Sequence, residues 1–255
     1  MKSRKERLDV LVVERGLAES RTKAQALILA GQVVVDDQRV DKPGAQVLLE
    51  AELRLKGEVL PYVSRGGLKL KGAMDHFGLK VRGLVGADIG ASTGGFTDCL
   101  LQEGAIRVHA IDVGYGQLHE KLRKDPRVRS RERVNARYLT EEDLPEKVGV
   151  AVIDVSFISL TQVLPAVLQY LEPGGLLVAL VKPQFEVGRE RIGKGGVVRD
   201  AVARQEAIDA VVAFARGQGL TVSGVIDSPV PGPAGNVEAL LVAHKGSPPS
   251  HGTTA

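Results

Sequence analysis

Tryptophan is absent from this chain of 255 residues, and five phenylalanines and four tyrosines complete its set of large aromatic rings. So few rings make a poor platform for stacking bases. A single cysteine, Cys99, excludes an internal disulfide framework and a thiolate-rich zinc site. It reads as a small, buried apolar residue. The histidines, His76, His109, His119, His244 and His251, show no ligand spacing, so no metal is expected. No apolar run reaches membrane-spanning length, and the opening Met1–Arg7 lacks the apolar core of a signal peptide. A cytoplasmic location is the default expectation. What remains is ordinary for a globular protein, with 44% hydrophobic and 25% charged residues. The length suits one large domain accompanied by a small one. Net charge is only +3 but uneven: residues 1–80 carry 15 Lys and Arg against 11 Asp and Glu, the rest 19 against 20. Such asymmetry suits a basic N-terminal part that meets a polyanion, although a solvated face is the plainer alternative.

The most informative stretch is Asp88-Ile89-Gly90-Ala91-Ser92-Thr93-Gly94-Gly95-Phe96, between the apolar run Leu84–Ala87 and a helical pattern. A strand that turns over glycines into a helix brings backbone and free N–H groups close to a nucleotide. The spacing differs from the Gly-x-Gly-x-x-Gly of dinucleotide folds. Asp88 at the strand tip would repel a pyrophosphate, whereas S-adenosylmethionine offers a sulfonium, an ammonium and no phosphate. Asp88, Gly90, Ser92, Gly94, Gly95 and Phe96 are therefore candidate cofactor contacts. Asp112 ends the next strand, where a carboxylate can accept from both ribose hydroxyls or simply serve the turn before Gly114. Asn135 follows the third strand and either faces the adenine or caps a turn.

The first 60 residues read as helix–helix–strands. Leu8, Leu11 and Val12 suggest a helix stopped near Gly16, and Ser20 is placed to cap a second helix that ends at Gly31. Val33–Val40 reads as a tight turn between extended pieces, followed by short strands at Val47–Leu49 and Leu53–Leu55. Residues 61–70 read as a mobile, glycine-containing linker. From Leu84, strands and helices alternate. The strands are expected over Val85–Ile89, Val108–Val113, Val128–Val134, Val150–Val155, Leu176–Lys182, Leu220–Ile226 and Val237–Ala243, and a helix over Ala203–Arg216. Alternation predicts an α/β, Rossmann-like fold with a mostly parallel, seven-stranded sheet over residues 71–245. The polar tail 246–255 is expected to be disordered.

Asp154 and Lys182 end two fully apolar strands, so carboxylate and ammonium point at one crevice. A strand-end ion pair with no catalytic role is the competing reading. Glu238 falls just inside the last strand, an unusual place for an unpaired acid. Lys69, taken alone, reads as a surface charge. Gly193–Gly196 suggests a loop closing over RNA, with Arg189, Arg191, Lys194 and Arg199 as phosphate contacts, or simply a flexible surface loop.

The N-terminal unit resembles an S4 RNA-binding domain through Arg7-Leu8-Asp9, Ser20–Gly31 and Val33–Asp36. That resemblance implies phosphate contacts by Arg4, Arg7, Arg21 and Lys23, with Arg65 of the joint added. Lys69, Asp154, Lys182 and Glu238 match the Lys-Asp-Lys-Glu tetrad of FtsJ-like ribose 2′-O-methyltransferases. The flanking segments Ser64–Leu70, Asp88–Phe96, Asp154–Ser159, Lys182–Glu186, Gly193–Asp200 and Gly235–Glu238 are similar to the hemolysin-A-like, TlyA-type branch. The resemblance implies S-adenosylmethionine-dependent methylation of cytidine 2′-hydroxyls in ribosomal RNA of one or both subunits. The short tail, where longer members carry a final helix, tilts the expectation toward the large subunit alone. Within that reading Lys182 either stabilises the developing alkoxide as an ammonium or accepts its proton. Two competing classes are a non-catalytic ribosome-assembly factor and a membrane-active hemolysin. The intact tetrad counts against the first, and the lack of a spanning or strongly amphipathic basic segment against the second.

Overall fold

The computed structural model describes residues 4–56, 60–193, 195–232 and 235–246. The expectations for Lys194 and for nearly all of the tail lie outside these. In the N-terminal part β1 (Lys5–Arg7) leads into α1 (Leu8–Glu14) and α2 (Arg21–Leu29), followed by β2 (Val33–Val35), β3 (Gln38–Arg39), β4 (Gln46–Leu48) and β5 (Leu53–Leu55). The local signals act as expected. Ser20 Oγ accepts from Lys23 N–H at the start of α2, and Gly16 and Gly31 take positive φ behind the two helices. Asp36 and Asp37 both sit in the left-handed region, which folds β2 back on β3. Leu8, Leu11, Ala24, Ile28, Val33 and Leu53 close a small core.

The larger part runs α3 (Gly66–Phe77), β6 (Val85–Ile89), α4 (Gly95–Gln102), β7 (Arg107–Ile111), α5 (Glu120–Arg123), β8 (Val128–Arg131), β9 (Val148–Ile153), α6 (Leu160–Tyr170), β10 (Leu171–Val181), α7 (Pro183–Glu186), α8 (Ala201–Gly217), β11 (Leu220–Asp227) and β12 (Ala239–Lys245). The seven-stranded sheet has the order β11-β12-β10-β9-β6-β7-β8. Neighbours from β10 to β8 pair in parallel, and β12 runs antiparallel between β10 and β11. Side-chain alternation builds a core on each face. Ala151, Ile153, Leu177 and Ala179 meet α6 and α8 through Leu164, Val167, Ile208 and Val211. Val150, Val152, Val178 and Leu180 meet α3 and α4 through Leu70, Met74, Phe96 and Leu100. Cys99 lies in this second core, fully buried, and burial pushes its thiol up to about 12. No helix of the described residues is long and apolar enough to cross a membrane.

Three expectations change. Residues 61–70 are not a mobile linker: Gly66 opens α3, and Tyr62, Ser64, Gly67, Lys69 and Leu70 are buried. Gly67 serves close packing, since a Cβ there would stand 2.3 Å from the Tyr62 ring. The third strand ends at Arg131 because Arg133 turns into positive φ. The last strand begins at Ala239, so Glu238 precedes it. Just before it, Gly232 N–H donates to Asn236 C=O.

Candidate functional site

Asp112, Asp154 and Lys182 are each the first residue beyond a parallel strand, β7, β9 and β10 in turn. They therefore gather at the carboxyl edge of the sheet, where the strand order reverses direction around β6. The glycine turn after β6 forms the floor. Gly90, Ser92 and Gly94 all have positive φ, and a Cβ at Gly90 would come within 2.5 Å of the Asp154 carbonyl oxygen. A Cβ at Gly95 would stand 2.8 Å from Gly67 N and 3.1 Å from Gly66 Cα, so the loop and the start of α3 approach each other backbone to backbone.

Asp88 sits one residue inside β6 rather than at its tip, and it is fully buried. Its Oδ2 accepts from Thr97 N–H at 2.8 Å and from Thr97 Oγ–H at 2.6 Å, tying the strand to the first turn of α4. Burial pushes its carboxyl up to about 7, against the pull of those Thr97 bonds. The other oxygen, Oδ1, is buried with no hydrogen-bond partner among the described residues. Asp112 accepts from Ser92 N–H at 2.8 Å and Gly114 N–H at 2.6 Å. Asn135 caps the turn Ala136–Tyr138 by accepting from Arg137 N–H, and it lines the larger cleft as well.

Two clefts meet here. One, of about 430 Å³, lies among Asp112, Asn135, Phe157 and Ile158. The other, of about 240 Å³, lies among Asp88, Phe96, Lys69 and Lys182. Gly90, Ser92, Asp154 and Ser156 line both. The second cleft is also walled by Arg15, Glu50, Ala51 and Glu52 of the N-terminal part. Arg65 N–H donates to Glu52 Oε1 at 3.1 Å, and Arg65 lines the cleft between the two parts.

Lys69, Asp154, Lys182 and Glu238, far apart in sequence, form two ion pairs. Lys69 Nζ lies 2.6 Å from Glu238 Oε2, and Lys182 Nζ lies 2.5 Å from Asp154 Oδ1. Both lysines and Glu238 are buried. Burial works to raise the Asp154 carboxyl, yet Lys182 and Lys69 hold it below the usual range. Lone pairs remain: neither Glu238 Oε1 nor Asp154 Oδ1 has a well-aligned hydrogen bond among the described residues.

The basic candidates of the N-terminal part are differently placed. Arg7 and Arg21 both grip the buried Asp9, at 3.0 and 2.9 Å, and Lys23 pairs with the exposed Glu19. Arg191 pairs with Glu206 and Asp200.

Sequence reasoning passed over three residues. Ser156 Oγ accepts from Lys182 Nζ at 2.9 Å. Glu186 accepts from Ser159 Oγ–H and Leu160 N–H at the head of α6. Asn236, two residues before Glu238, is buried, donates to Gly196 C=O and accepts from Val198 N–H. Only their place inside the motif segments hinted at them. The scarce aromatics are also less idle than their number suggests. Tyr115, Tyr138 and Phe157 stand exposed, the first two under Arg133 and Arg137.

Comparison with known proteins adds the following. A profile described as FtsJ-like methyltransferase matches residues 62–245, and one described as S4 domain matches residues 6–53. A Mycobacterium tuberculosis protein named 16S/23S rRNA (cytidine-2′-O)-methyltransferase TlyA is 47% identical, over 94% of this chain and 90% of that protein. Hemolysin A of Brachyspira hyodysenteriae is 41% identical, over 92% and 98%. A solved Streptococcus thermophilus structure, provisionally named a hemolysin, is 49% identical, with TM-score 0.81 over 97% of this chain and 90% of that one.

Proposed function

The chain belongs to the FtsJ-like methyltransferase family, with an S4 domain ahead of the catalytic one, and from that premise we propose that it methylates a cytidine ribose 2′-hydroxyl in ribosomal RNA. The methyl donor is S-adenosylmethionine, which supplies a sulfonium-bound electrophilic methyl group. The residues present suit it. Asp112 and Asn135 would take the nucleoside in the larger cleft, over the glycine turn. The free oxygen of Asp88 is a ready acceptor for the ammonium group.

The observation that carries the reading is the pair of buried lysine–carboxylate contacts where the two clefts join. A ribose hydroxyl is a weak nucleophile, and its oxygen must be aligned and its developing charge met. Lys182 is the group we assign to that oxygen, either as an ammonium donor or as acceptor of its proton. Asp154 holds the Lys182 amine, and Glu238 holds Lys69 so that two cations coexist in one buried place. Arg4, Arg7, Arg21 and Lys23 would meet RNA phosphates, and Arg65, at the junction of the two parts, would meet the strand entering the site.

The test is transfer of a tritiated methyl group to intact small and large subunits, free rRNA and cytidine, followed by mapping of the modified nucleotide. Label at a cytidine 2′-oxygen of a subunit is the expected result. Label on a base would overturn the assignment, and rRNA binding without any label would favour a non-catalytic assembly role.

A further inference from the structure

Lys182 is held twice, and the second holder has no role so far. Its Nζ lies 2.5 Å from Asp154 Oδ1 and donates to Ser156 Oγ at 2.9 Å. We propose that Ser156 is a positioning residue that aims the Lys182 amine at the acceptor hydroxyl. The inference rests on the methyl-transfer reading above.

An amine nitrogen is tetrahedral. Its carbon stem occupies one direction and the Ser156 hydrogen bond a second, while the Asp154 carboxylate, an ion-pair contact at 2.5 Å without hydrogen-bond alignment, stands against a third side. One direction is left. If Lys182 is an ammonium, that direction carries an N–H to meet a developing alkoxide. If Lys182 is neutral, one N–H serves Ser156, the other faces the Asp154 carboxylate, and the lone pair occupies the remaining direction. Either chemistry therefore gains from the same two acceptors. Ser156 also lines both clefts, the place that methyl donor and acceptor must share. With Oγ accepting from the lysine, its own O–H remains available to donate.

Ser156 is not needed to hold the loops together. The segment after β9 is fastened to the turn after β10 by two other contacts. Glu186 accepts from Ser159 Oγ–H at 2.6 Å and from Leu160 N–H at 2.8 Å. The rings of Phe157 and Phe185 lie 5.1 Å apart. Ser156 itself is exposed, so removing its hydroxyl opens no core cavity. Its loss should act on the amine and on little else.

The experiment compares wild type, Ser156→Ala, Ser156→Thr and Lys182→Ala in rRNA methylation, with crystal structures of the wild type and the two Ser156 variants. Ser156→Ala is expected to lose about 10- to 100-fold in kcat, the scale of a misplaced reacting group. KM for rRNA and affinity for S-adenosylmethionine should stay within about 2-fold. Ser156→Thr, which keeps the hydroxyl, should recover most of the loss. In the crystals the Lys182 amine should leave its wild-type position in Ser156→Ala and keep it in Ser156→Thr. Full kcat in Ser156→Ala, or an unmoved amine, would overturn the inference. A rise in KM for rRNA at unchanged kcat would overturn it too, by making Ser156 a substrate contact. An inactive wild type would instead sink the methyl-transfer reading and this inference with it, whereas an active wild type with an active Lys182→Ala would sink only the place given to Lys182.

Discussion

Asp9 in the N-terminal domain and Asp154 in the catalytic domain are both carboxylates drawn in among cations, yet their surroundings differ in one respect. Asp9 is fully buried and saturated: Arg7 donates to both its oxygens, and Arg21 and Gln25 donate to Oδ2. Arg7 above all, opposed by burial and helped by Gln25 and Arg21, holds its carboxyl far below the usual range. The carboxylate is buried while the guanidinium groups stay half exposed. That is a fastener, and it presents two arginines to whatever lies outside. Asp154 and Glu238 are under-satisfied, and both their lysines are buried against an open cleft. Buried polar groups left short of partners are costly, so such a cluster persists where a ligand completes it. The same residue types therefore make a scaffold in one place and the proposed reaction site in the other. What separates them is spare valence facing a cleft.

The largest break in this comparison should come from Lys182→Ala. Methyl transfer should fall by about 10² to 10⁴-fold, the range for a lost acid–base or oxyanion-stabilising group. Calorimetric binding of S-adenosylmethionine should be nearly unchanged, and a matching loss of affinity would contradict the assigned place. Asp9→Ala should act through stability instead. Three donors lose their common acceptor, at a cost of roughly 2–3 kcal/mol. A melt should show the N-terminal domain unfolding early, with rRNA affinity lost and cofactor affinity kept. Gly90→Ala tests the floor between the clefts. A side chain at its φ of +84°, 2.5 Å from the Asp154 carbonyl oxygen, should cost about 1–3 kcal/mol of strain and weaken cofactor binding accordingly.

Asp88 offers the most specific effect. Its carboxyl is raised by burial from an ordinary 3.8 to about 7. Between those two values the folded state holds a proton that the unfolded chain has released. This group therefore lowers stability as pH rises from about 4 to about 7, and adds no further slope above that. Asp88→Asn should flatten the window, read as the denaturant midpoint against pH. An equal slope in wild type and variant would refute the buried, proton-holding carboxyl.

Much of this was legible locally. The Ser20 cap, the stops at Gly16 and Gly31, the Asp36–Asp37 turn and the strand β6 each depend on neighbours in sequence, and each stands where the pattern put it. Asp112, Asp154 and Lys182 were legible because an apolar run followed by a charge marks a strand end. Two of the misreadings share one cause. Gly66 and Gly67 suggested mobility, whereas their missing side chains let α3 approach Tyr62 and Gly95. Asp88 suggested a tip, whereas it lies behind the loop on Thr97. In both, the deciding neighbour is not next in sequence.

The amino-acid pattern by itself determined most of the elements, the alternation that makes the large sheet mostly parallel, and the charges waiting at its strand ends. Only the tertiary structure decided that Lys69 meets Glu238 across 169 positions, that the N-terminal domain walls the same cleft, and that Ser156 shares Lys182 with Asp154. The reason is geometric. Parallel strands carry their carboxyl ends to one edge whatever lies between them, so residues that are strangers in sequence become the contents of one site.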